Sequence, residues 1–431
     1  MKKIILWSVV TILIIGIAIA AFLWLRKPQI ITLSDGTKLT LLGVTYGKHH
    51  VPPKITMAGT RARGSGARID STNDTVVVWI EAEHKPNQYP NYQLMVYDQA
   101  NTACASAWAQ TQSQIKNGVN VLGFQLDAFP RRARKIYLRI MSNGQRGQQV
   151  SKEQFVVSNP ARGPFPKWTP EPLPDTQSDG DLDATLTRFN YGVRGFGFNG
   201  GGRLKDDPMN KAVLAAFRTE QKGVVATNWQ VIRIETSDAT GNHSSGNSWS
   251  NQRENDESVM TYQWGLWPDE PAWKLRVEFS KQSGFSDDEL WSVTNVPVNA
   301  GSQQDLWNYN GGRNNRTSSA FAVTTLNGIQ LKMYPVIQFT DQNSGDGEKP
   351  GGFRVESDQP LDGMQMTLVK ATDERGREVQ SWSGQGWGGN SRQLEFQNLR
   401  NAKTLDITIA LHKSRFVEFT VKPQKAAANG P

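Results

Sequence analysis

One three-part pattern occurs three times in this sequence, always in the same order, and it limits the possible folds more than any other feature. Each copy begins with a hydrophobic run that leads into Asp-x-x-Gly or Asp-x-x-Asn, and the aspartates are Asp98, Asp238 and Asp373. An aspartate in this position accepts hydrogen bonds from the backbone that follows it, and the final Gly or Asn tolerates a positive φ angle. The first part of each copy therefore predicts a strand that enters a tight turn.

The second and third parts of each copy also have the pattern of strands. The second part alternates apolar and polar residues, which places one face of a strand on a core and the other in water. The third part begins with an aromatic residue and ends at a proline, which cannot donate to a strand ladder. The central leucine and the closing aromatic residue of the three copies are Leu138 and Phe155, Leu275 and Trp291, and Leu405 and Phe419. Short strands and turns in units of about 100 residues predict antiparallel β-sandwiches.

One helix is expected inside the second unit. Asp207 suits the N-cap position, Pro208 suits the first turn, and an apolar face follows at Val213, Ala216 and Phe217. The rest of the chain after residue 30 is predicted to be strands, turns and loops.

The first 27 residues predict a membrane anchor. Residues 4–25 form an uncharged, apolar stretch of 22 residues between two basic flanks, and a spanning helix needs about 20 residues. Trp7 and Trp24 lie near the two ends of this stretch, at the depth of the lipid headgroups. A cleaved signal peptide is the alternative, because Ala18-Ile19-Ala20 resembles a cleavage site. Under either interpretation we expect most of the chain to lie outside the cytoplasm.

The separators between the copies define the predicted domains. A proline-rich stretch is typical of a stiff spacer and a stretch rich in Gly, Asn and Ser of a flexible one. The predicted divisions are the anchor at 1–29, the first sandwich at 30–160, a proline-rich linker at 161–181, the second sandwich at 182–299, a polar linker at 300–319, the third sandwich at 320–423 and a tail at 424–431.

This order of one anchor and three strand-rich units, over about residues 30–423, resembles bacterial single-pass membrane proteins with tandem immunoglobulin-like or fibronectin III-like sandwiches. The resemblance implies an all-β fold with a role in ligand binding or spacing. Cys104 is the only cysteine, so the disulfide of antibody domains is not carried over, and a bacterial envelope protein fits better than an exported eukaryotic module array.

Positive charge is concentrated in the first unit. Residues 30–160 contain 15 Lys and Arg against 8 Asp and Glu. The excess lies in two clusters, formed by Lys48, Lys54, Arg61, Arg63 and Arg68 and by Arg131, Arg132, Arg134 and Lys135. These clusters predict contact with an anionic envelope polymer or with lipid headgroups, and solvated loops are the alternative. Nucleic acid is not an expected partner, because export would remove the protein from it.

Trp382 and Trp387 are the candidate contacts for a glycan or a peptide. Both lie in the Gly-rich and Ser-rich run 381–390, and exposed aromatic patches mark binding sites. Trp273 begins an alternating strand instead and is predicted to be buried.

No cofactor is expected, although two oxygen-rich loops, Asp341–Glu348 and Asp175–Asp183, are candidates for calcium. Neither loop has the spacing of an EF-hand, since Gly352 occupies the position of the closing glutamate after Asp341. Residues 195–200 match G-x-G-x-x-G, but their surroundings are typical of antiparallel strands and not of a dinucleotide fold.

The sequence does not bring an acid, a base and a nucleophile to one place. The predicted function is therefore that of a membrane-anchored, extracytoplasmic binding or envelope-structural protein without catalytic activity. A carbohydrate-active or peptide-active hydrolase with its site on sandwich loops is one alternative, and a spacer that presents a partner complex is the other.

Overall fold

The computed structural model describes residues 28–425 with interruptions. The interruptions are 54–55, 58–59, 62–67, 84–91, 102, 116–118, 145–146, 162, 195–210, 247, 263–265, 308–318, 341–348 and 383–389. The predicted all-β fold is confirmed, because the described helical structure is limited to α1 (Gln303–Trp307) and a 3-10 turn at Asp287–Glu289. The predicted anchor segment, residues 4–25, lies outside the described residues. Over the part of the chain that is described, no helix has the length and apolar character needed to span a membrane.

The strands follow one another along the whole described chain. Those before residue 160 are β1 (Ile30–Thr32), β2 (Lys38–His50), β3 (Thr56–Met57), β4 (Thr60–Arg61), β5 (Ile69–Glu83), β6 (Tyr92–Tyr97), β7 (Ala103–Ile115), β8 (Val119–Leu126), β9 (Lys135–Gly144), β10 (Gly147–Val150) and β11 (Phe155–Ser158). The next are β12 (Asp175–Asp179), β13 (Leu182–Arg194), β14 (Lys211–Gln221), β15 (Val224–Val225), β16 (Trp229–Asp238), β17 (His243–Gly246), β18 (Ser248–Glu254), β19 (Glu257–Tyr262) and β20 (Trp273–Lys281). The last are β21 (Leu290–Gly301), β22 (Ala322–Leu326), β23 (Ile329–Met333), β24 (Val336–Phe339), β25 (Gly351–Ser357), β26 (Met364–Asp373), β27 (Ser381–Trp382), β28 (Ser391–Phe396), β29 (Thr404–Lys413), β30 (Arg415–Val421) and β31 (Gln424–Lys425).

Nine strands of the first unit form a sheet in the order β1-β2-β5-β8-β7-β6-β9-β10, with β11 also on β9, and β3 and β4 pair with each other. Strand β7 pairs with β6 through its first half and with β8 through its second half. A strand that changes partners in this way turns a corner between two sheet layers. Val76, Val78 and Ile80 alternate along β5 and are fully buried in the core of this unit.

Strands β12–β20, together with β30 and β31, form two sheets that face each other. One contains seven strands, with the path β12-β13-β14-β19-β18, and the other has the order β17-β16-β20-β30. Aromatic rings from the two sheets are in contact: the centroids of Phe217 and Phe279 are 5.6 Å apart, and those of Phe189 and Trp273 are 5.7 Å apart. Trp273 is fully buried, as predicted.

The last unit is built on a nine-stranded sheet with the order β22-β23-β25-β24-β21-β29-β26. Here β21 changes partners, because its first part pairs with β29 and its last residues pair with β24 in parallel. Its buried residues form a core cluster of their own, whereas the first and second units share one continuous cluster.

The turns predicted from the three aspartates are confirmed. The last residue of each turn has a positive φ angle, 61° at Asn101, 92° at Gly241 and 75° at Gly376. Each of these residues donates its backbone N–H to the carbonyl oxygen of the aspartate three positions earlier, over 3.2, 3.1 and 2.8 Å. The strand before each turn also pairs with the strand of the central leucine, as β6 with β9, β16 with β20 and β26 with β29.

The closing strands of the second and third units are exchanged relative to their order in the sequence. In the first unit the closing strand β11 pairs with β9, and Phe155 lies opposite Leu138. In the second unit the equivalent position beside β20 is taken by β30, with Phe419 opposite Leu275. Strand β21, which begins with the second copy of the closing segment, pairs instead with β29 of the third unit. Two strands therefore pair across the boundaries predicted at 299 and 320.

The prediction of a helix in the second unit is wrong for those of its residues that the structure describes. Val213, Ala216 and Phe217 lie in β14, which pairs with β13 on one side and β19 on the other. Val213, Ala215 and Phe217 are buried at a spacing of two, so the same short apolar run satisfies both periodicities and the neighbouring strands decide between them. Asp207 and Pro208 lie outside the described residues.

Candidate functional site

A cleft of about 290 Å³ lies where the outer face of the four-stranded sheet meets the third unit. It is lined by Arg233, Glu235, Arg276, Glu278, Leu361, Asp362, Gly363, Gln365, Arg392 and Phe416. The sheet strands β16, β20 and β30 supply one wall, and the residues before β26 together with β28 supply the other. Ligand sites in proteins are concave and contain a small number of placed polar groups, so this cleft is the candidate site.

The alternation of the sheet strands places the charged residues in the cleft. Along β20, Leu275 and Val277 are fully buried in the sandwich core. Arg276, between them, therefore points to the opposite face of the sheet. Glu235 is held there by two guanidinium groups, with Arg233 at 2.7 Å and Arg276 at 3.3 Å from its carboxylate oxygens.

Arg276 also contacts an aromatic ring of the neighbouring strand. Its guanidinium carbon lies 4.6 Å from the centroid of the Phe416 ring, a distance at which the ring attracts a cation. Gly363, in a turn with a φ angle of 71°, approaches the same ring, since a Cβ atom there would lie 3.8 Å from its Cε2. The Phe416 ring is thus packed between groups of the protein and is part of the wall.

Glu278 joins the two units at the base of the cleft. Its Oε1 accepts a hydrogen bond of 2.8 Å from the Gln365 side-chain amide and one of 2.7 Å from the Ser414 hydroxyl. Since Glu278 is buried, these bonds replace the water that its carboxylate loses.

Two charged residues of the lining differ from Glu235 and Glu278, because they have no partner among the described residues. Neither Asp362 nor Arg392 has a side-chain hydrogen bond or ion pair with another described residue. Arg392 lies on β28 opposite Val355 and is partly buried, and Asp362 is exposed. The cleft therefore offers one cation and one anion that the protein itself does not neutralise among its described residues.

Arg131, one of the predicted ligand contacts, joins the first two units. It is 8% exposed, and its Nε donates a 3.0 Å hydrogen bond to Oδ1 of Asn242. One terminal nitrogen donates to the Asp74 carbonyl oxygen at 3.1 Å, and the guanidinium lies 4.5 Å from the Phe129 ring centroid. Asn242 belongs to the turn of Asp238, whose carboxylate accepts its side-chain amide over 2.8 Å.

Arg132 makes a second connection between the same units. Its Nε lies 2.9 Å from the Glu270 carboxylate, and its terminal nitrogen donates to the Pro166 carbonyl oxygen at 2.6 Å. Burial raises the pKa of the Glu270 carboxyl, against the lowering effect of Arg132. The Arg131 and Arg132 side chains are therefore bonded to other residues of the protein, whereas the neighbouring Arg134 is exposed.

Of the remaining predicted contacts, Arg68 is the one whose side chain the structure describes. Arg68 is exposed and lies 2.8 Å from Asp70, and this hydrogen bond is the main reason that the pKa of the Asp70 carboxyl is lowered. Arg61 lies in β4 and Trp382 in β27, but the structure does not describe their side chains. Arg63 and Trp387 lie outside the described residues altogether.

The loop 175–183, a candidate for calcium, uses its carboxylates inside the protein. Asp179 accepts the backbone N–H of Phe416 at 2.8 Å, and Asp181 accepts a guanidinium N–H of Arg415 at 3.1 Å. In the ranges that the structure describes, no three His, Cys, Asp or Glu side chains are placed to hold a metal ion. Residues 341–348, the other candidate, and the glycine-rich run 195–200 lie outside those ranges.

A buried histidine lies at the junction of the second and third units. The Nε2 atom of His412 is 3.3 Å from the Ser280 hydroxyl and 3.4 Å from that of Thr367. The ring is packed 5.2 Å from that of Phe285, and the residue is 1% exposed. Because Ser280 is buried as well, this serine–histidine pair is a packing contact and not a site that a substrate can reach.

Stability at this junction is expected to fall as the pH drops from 7 to 5. Desolvation lowers the pKa of His412 below its ordinary 6.5; Glu289 opposes that shift, and Lys281 adds to it. The unfolded chain therefore binds a proton at a pH where the folded protein does not, and stability is lost as the pH falls below about 6.5. His412→Gln should reduce the drop in melting temperature between pH 7 and pH 5. His243→Gln, a change at an exposed position on β17, is the control and should show the same drop as the wild type. Equal drops in all three proteins would contradict the attribution of this pH dependence to His412.

No protein-family model matches this sequence, and no curated protein matches it either. The cleft residues were not among the contacts predicted from the sequence. The signal that could have found them is the run of charged residues, Arg233, Glu235 and Arg276, at outward positions of two predicted strands.

Proposed function

We propose that this protein is a membrane-anchored, extracytoplasmic binding protein, built from three tandem β-sandwich units of the immunoglobulin-like type. The apolar stretch 4–25 supports the anchor, and the threefold pattern of strands supports the units. The cleft between the second and third units is the proposed ligand site, and it is the observation that carries the binding function. Its lining combines the charges of Asp362 and Arg392, which no described residue pairs with, and the ion-paired groups around Glu235.

A binding function fits the cleft better than catalysis does. A general acid or base needs a titratable side chain, such as a carboxyl group, that exchanges a proton with the substrate. Glu235 is neutralised by two arginines, and Glu278 is buried and accepts two hydrogen bonds from the protein. Both carboxylates therefore serve as fixed acceptors, which leaves Asp362 as the one lining carboxylate without a described partner, whereas glycoside hydrolysis uses two carboxyl groups.

The function is tested by capture of labelled, solubilised envelope polymer on intact spheroplasts that carry the full-length protein. Arg276→Ala is expected to reduce capture about tenfold or more, because it removes a charged donor from the cleft. Arg218→Ala is the matched control, since Arg218 is equally exposed and paired with Glu220 on the other sheet. External protease should abolish capture by the wild type.

Three outcomes of this assay would count against the proposal. Capture that appears only after the cells are lysed would place the units in the cytoplasm. Equal capture by the Arg276 and Arg218 variants would remove the cleft from the binding site. No capture by the wild type under any condition would remove the binding function itself.

A structural spacer is the second candidate, and the junctions favour it. Arg131 and Arg132 connect the first two units through Asn242 and Glu270, and β30 connects the third unit to the second. Such connections hold neighbouring units at a constant separation. A spacer of this kind would keep its role in the cell when Arg276 is replaced by alanine.

A further inference from the structure

The hydrogen-bonding groups of the cleft show which kind of ligand it can complement. A guanidinium carries five N–H donors, and Arg233 and Arg276 each use part of theirs on Glu235. Arg392 has no described partner for any of its donors. The carboxylates of Glu235 and Asp362 and the carbonyl oxygen of the Gln365 side chain supply the acceptors.

The charges favour one anionic group on the ligand. A partly buried guanidinium such as that of Arg392, which has no partner among the described residues, gains most from a carboxylate, which it binds through two parallel hydrogen bonds. A ligand that carries several phosphates would also meet Glu235 and Asp362, and like charges at close range cost binding energy. The ligand that fits the lining best therefore carries one carboxylate, which binds Arg392. The groups around that carboxylate should donate hydrogen bonds to the acceptors of the cleft.

The surrounding groups favour hydroxyl donors over a peptide. Peptide ligands are held by an open strand edge or by apolar pockets for their side chains. Among the strands that line the cleft, β16 and β20 are paired on both sides, and the outer edge of β30 is bonded to Glu171 and Asp179, whereas β26 ends its sheet. The apolar lining consists of Leu361, which is buried, and Phe416, whose ring is covered by Arg276. Sugar hydroxyls, which both donate and accept, match the mixture of carboxylates and guanidinium groups.

We propose that the cleft binds a carboxylated sugar residue of an envelope polysaccharide, with the carboxylate on Arg392 and the hydroxyls on Glu235, Asp362 and Gln365. This inference rests on the proposed binding function and names the ligand of the same site. A volume of about 290 Å³ lies at the lower end of the range for ligand pockets, so the cleft takes one or two sugar residues of a longer polymer.

The test compares two probes with the full-length protein in detergent. One is a glucuronic acid-containing tetrasaccharide, and the other is the same tetrasaccharide after chemical reduction of its carboxyl groups. The acidic probe is expected to bind about tenfold or more tightly than the reduced one, because the reduced probe lacks the charged acceptor. Arg392→Ala should remove this difference, and Arg392→Lys should restore part of it, since lysine keeps the charge without the paired donors. Arg218→Ala should bind as the wild type does.

The outcomes separate this inference from the proposed function. Equal binding of the two probes, or a preference for the acidic probe that survives in Arg392→Ala, would overturn the carboxylated-sugar assignment. If neither saccharide binds while envelope peptides bind in an Arg276-dependent manner, the sugar assignment is wrong and the binding function stands. If neither saccharide nor peptide binds in a way that depends on Arg276, both are wrong.

Discussion

Truncation after Ser414 is expected to unfold the second unit, although the deleted segment begins with the last strand of the third unit in the sequence. Strand β30 pairs with β20 along its length, from Trp273 opposite Val421 to Phe279 opposite Arg415. The deletion removes three side chains from the core of the second sandwich, those of Val417, Phe419 and Val421. Each such side chain contributes about 1.5–3 kcal/mol when fully buried. Their sum approaches the total stability of about 5–15 kcal/mol that is usual for a domain.

Hydrogen exchange by mass spectrometry would show the effect. In the truncated protein the amides of β16 and β20 should lose their protection, because β20 becomes an open edge and the facing core is incomplete. Removal of residues 426–431 alone is the control, since it keeps β30 and β31. Unchanged protection of β16 in the longer truncation would mean that β30 is not needed for the second unit to fold.

Arg131→Ala is expected to destabilise the first two units by about 2–4 kcal/mol, because buried charged groups with several hydrogen bonds are among the costly residues to remove. The change removes the hydrogen bonds to Asn242 and to the Asp74 carbonyl oxygen, and it removes the cation from the Phe129 ring. Asn242 would keep a bond to its own turn through Asp238. The loss therefore falls on the connection between the units and not on the turn itself.

Denaturant unfolding of a double-mutant cycle with Asn242→Ala would measure this connection. We expect a coupling energy of about 1–3 kcal/mol between the two positions, as for residues in one hydrogen-bond network. Arg134→Ala is the matched control, and its exposed side chain should change stability by about 0.5 kcal/mol or less. Additive effects of Arg131→Ala and Asn242→Ala would show that the two side chains do not act together.

The turns and most strands could be predicted from the sequence because their chemistry is local. Asp373 shows this, since its carboxylate accepts the backbone N–H groups of Arg375 and Arg377, two and four residues later. No distant residue is needed for such a turn. The strand pairing is different, because the segments at Trp291 and Phe419 have the same alternating pattern. Nothing local tells which of them lies beside β20.

The candidate sites depended on contacts that sequence spacing does not contain. Positive charge at Arg131 and Arg132 is visible in the sequence, but their partners Asn242 and Glu270 lie more than 100 residues later. Without those partners the arginines resembled a surface for polyanions. The cleft likewise combines Glu235 with Arg392, which only the packing of the third unit on the second brings together.

The position of β30 has a consequence for the order in which the protein matures. A ribosome delivers the chain from its N-terminus, and domains generally fold as they emerge. The second sandwich lacks one strand until residues 415–421 have been synthesised, so the entire third unit must appear before the second can close. Until then the unfinished sheet would present β20 as an open edge, the state most exposed to proteases and to aggregation. Completion of the second sandwich therefore depends on synthesis of the chain through residue 421.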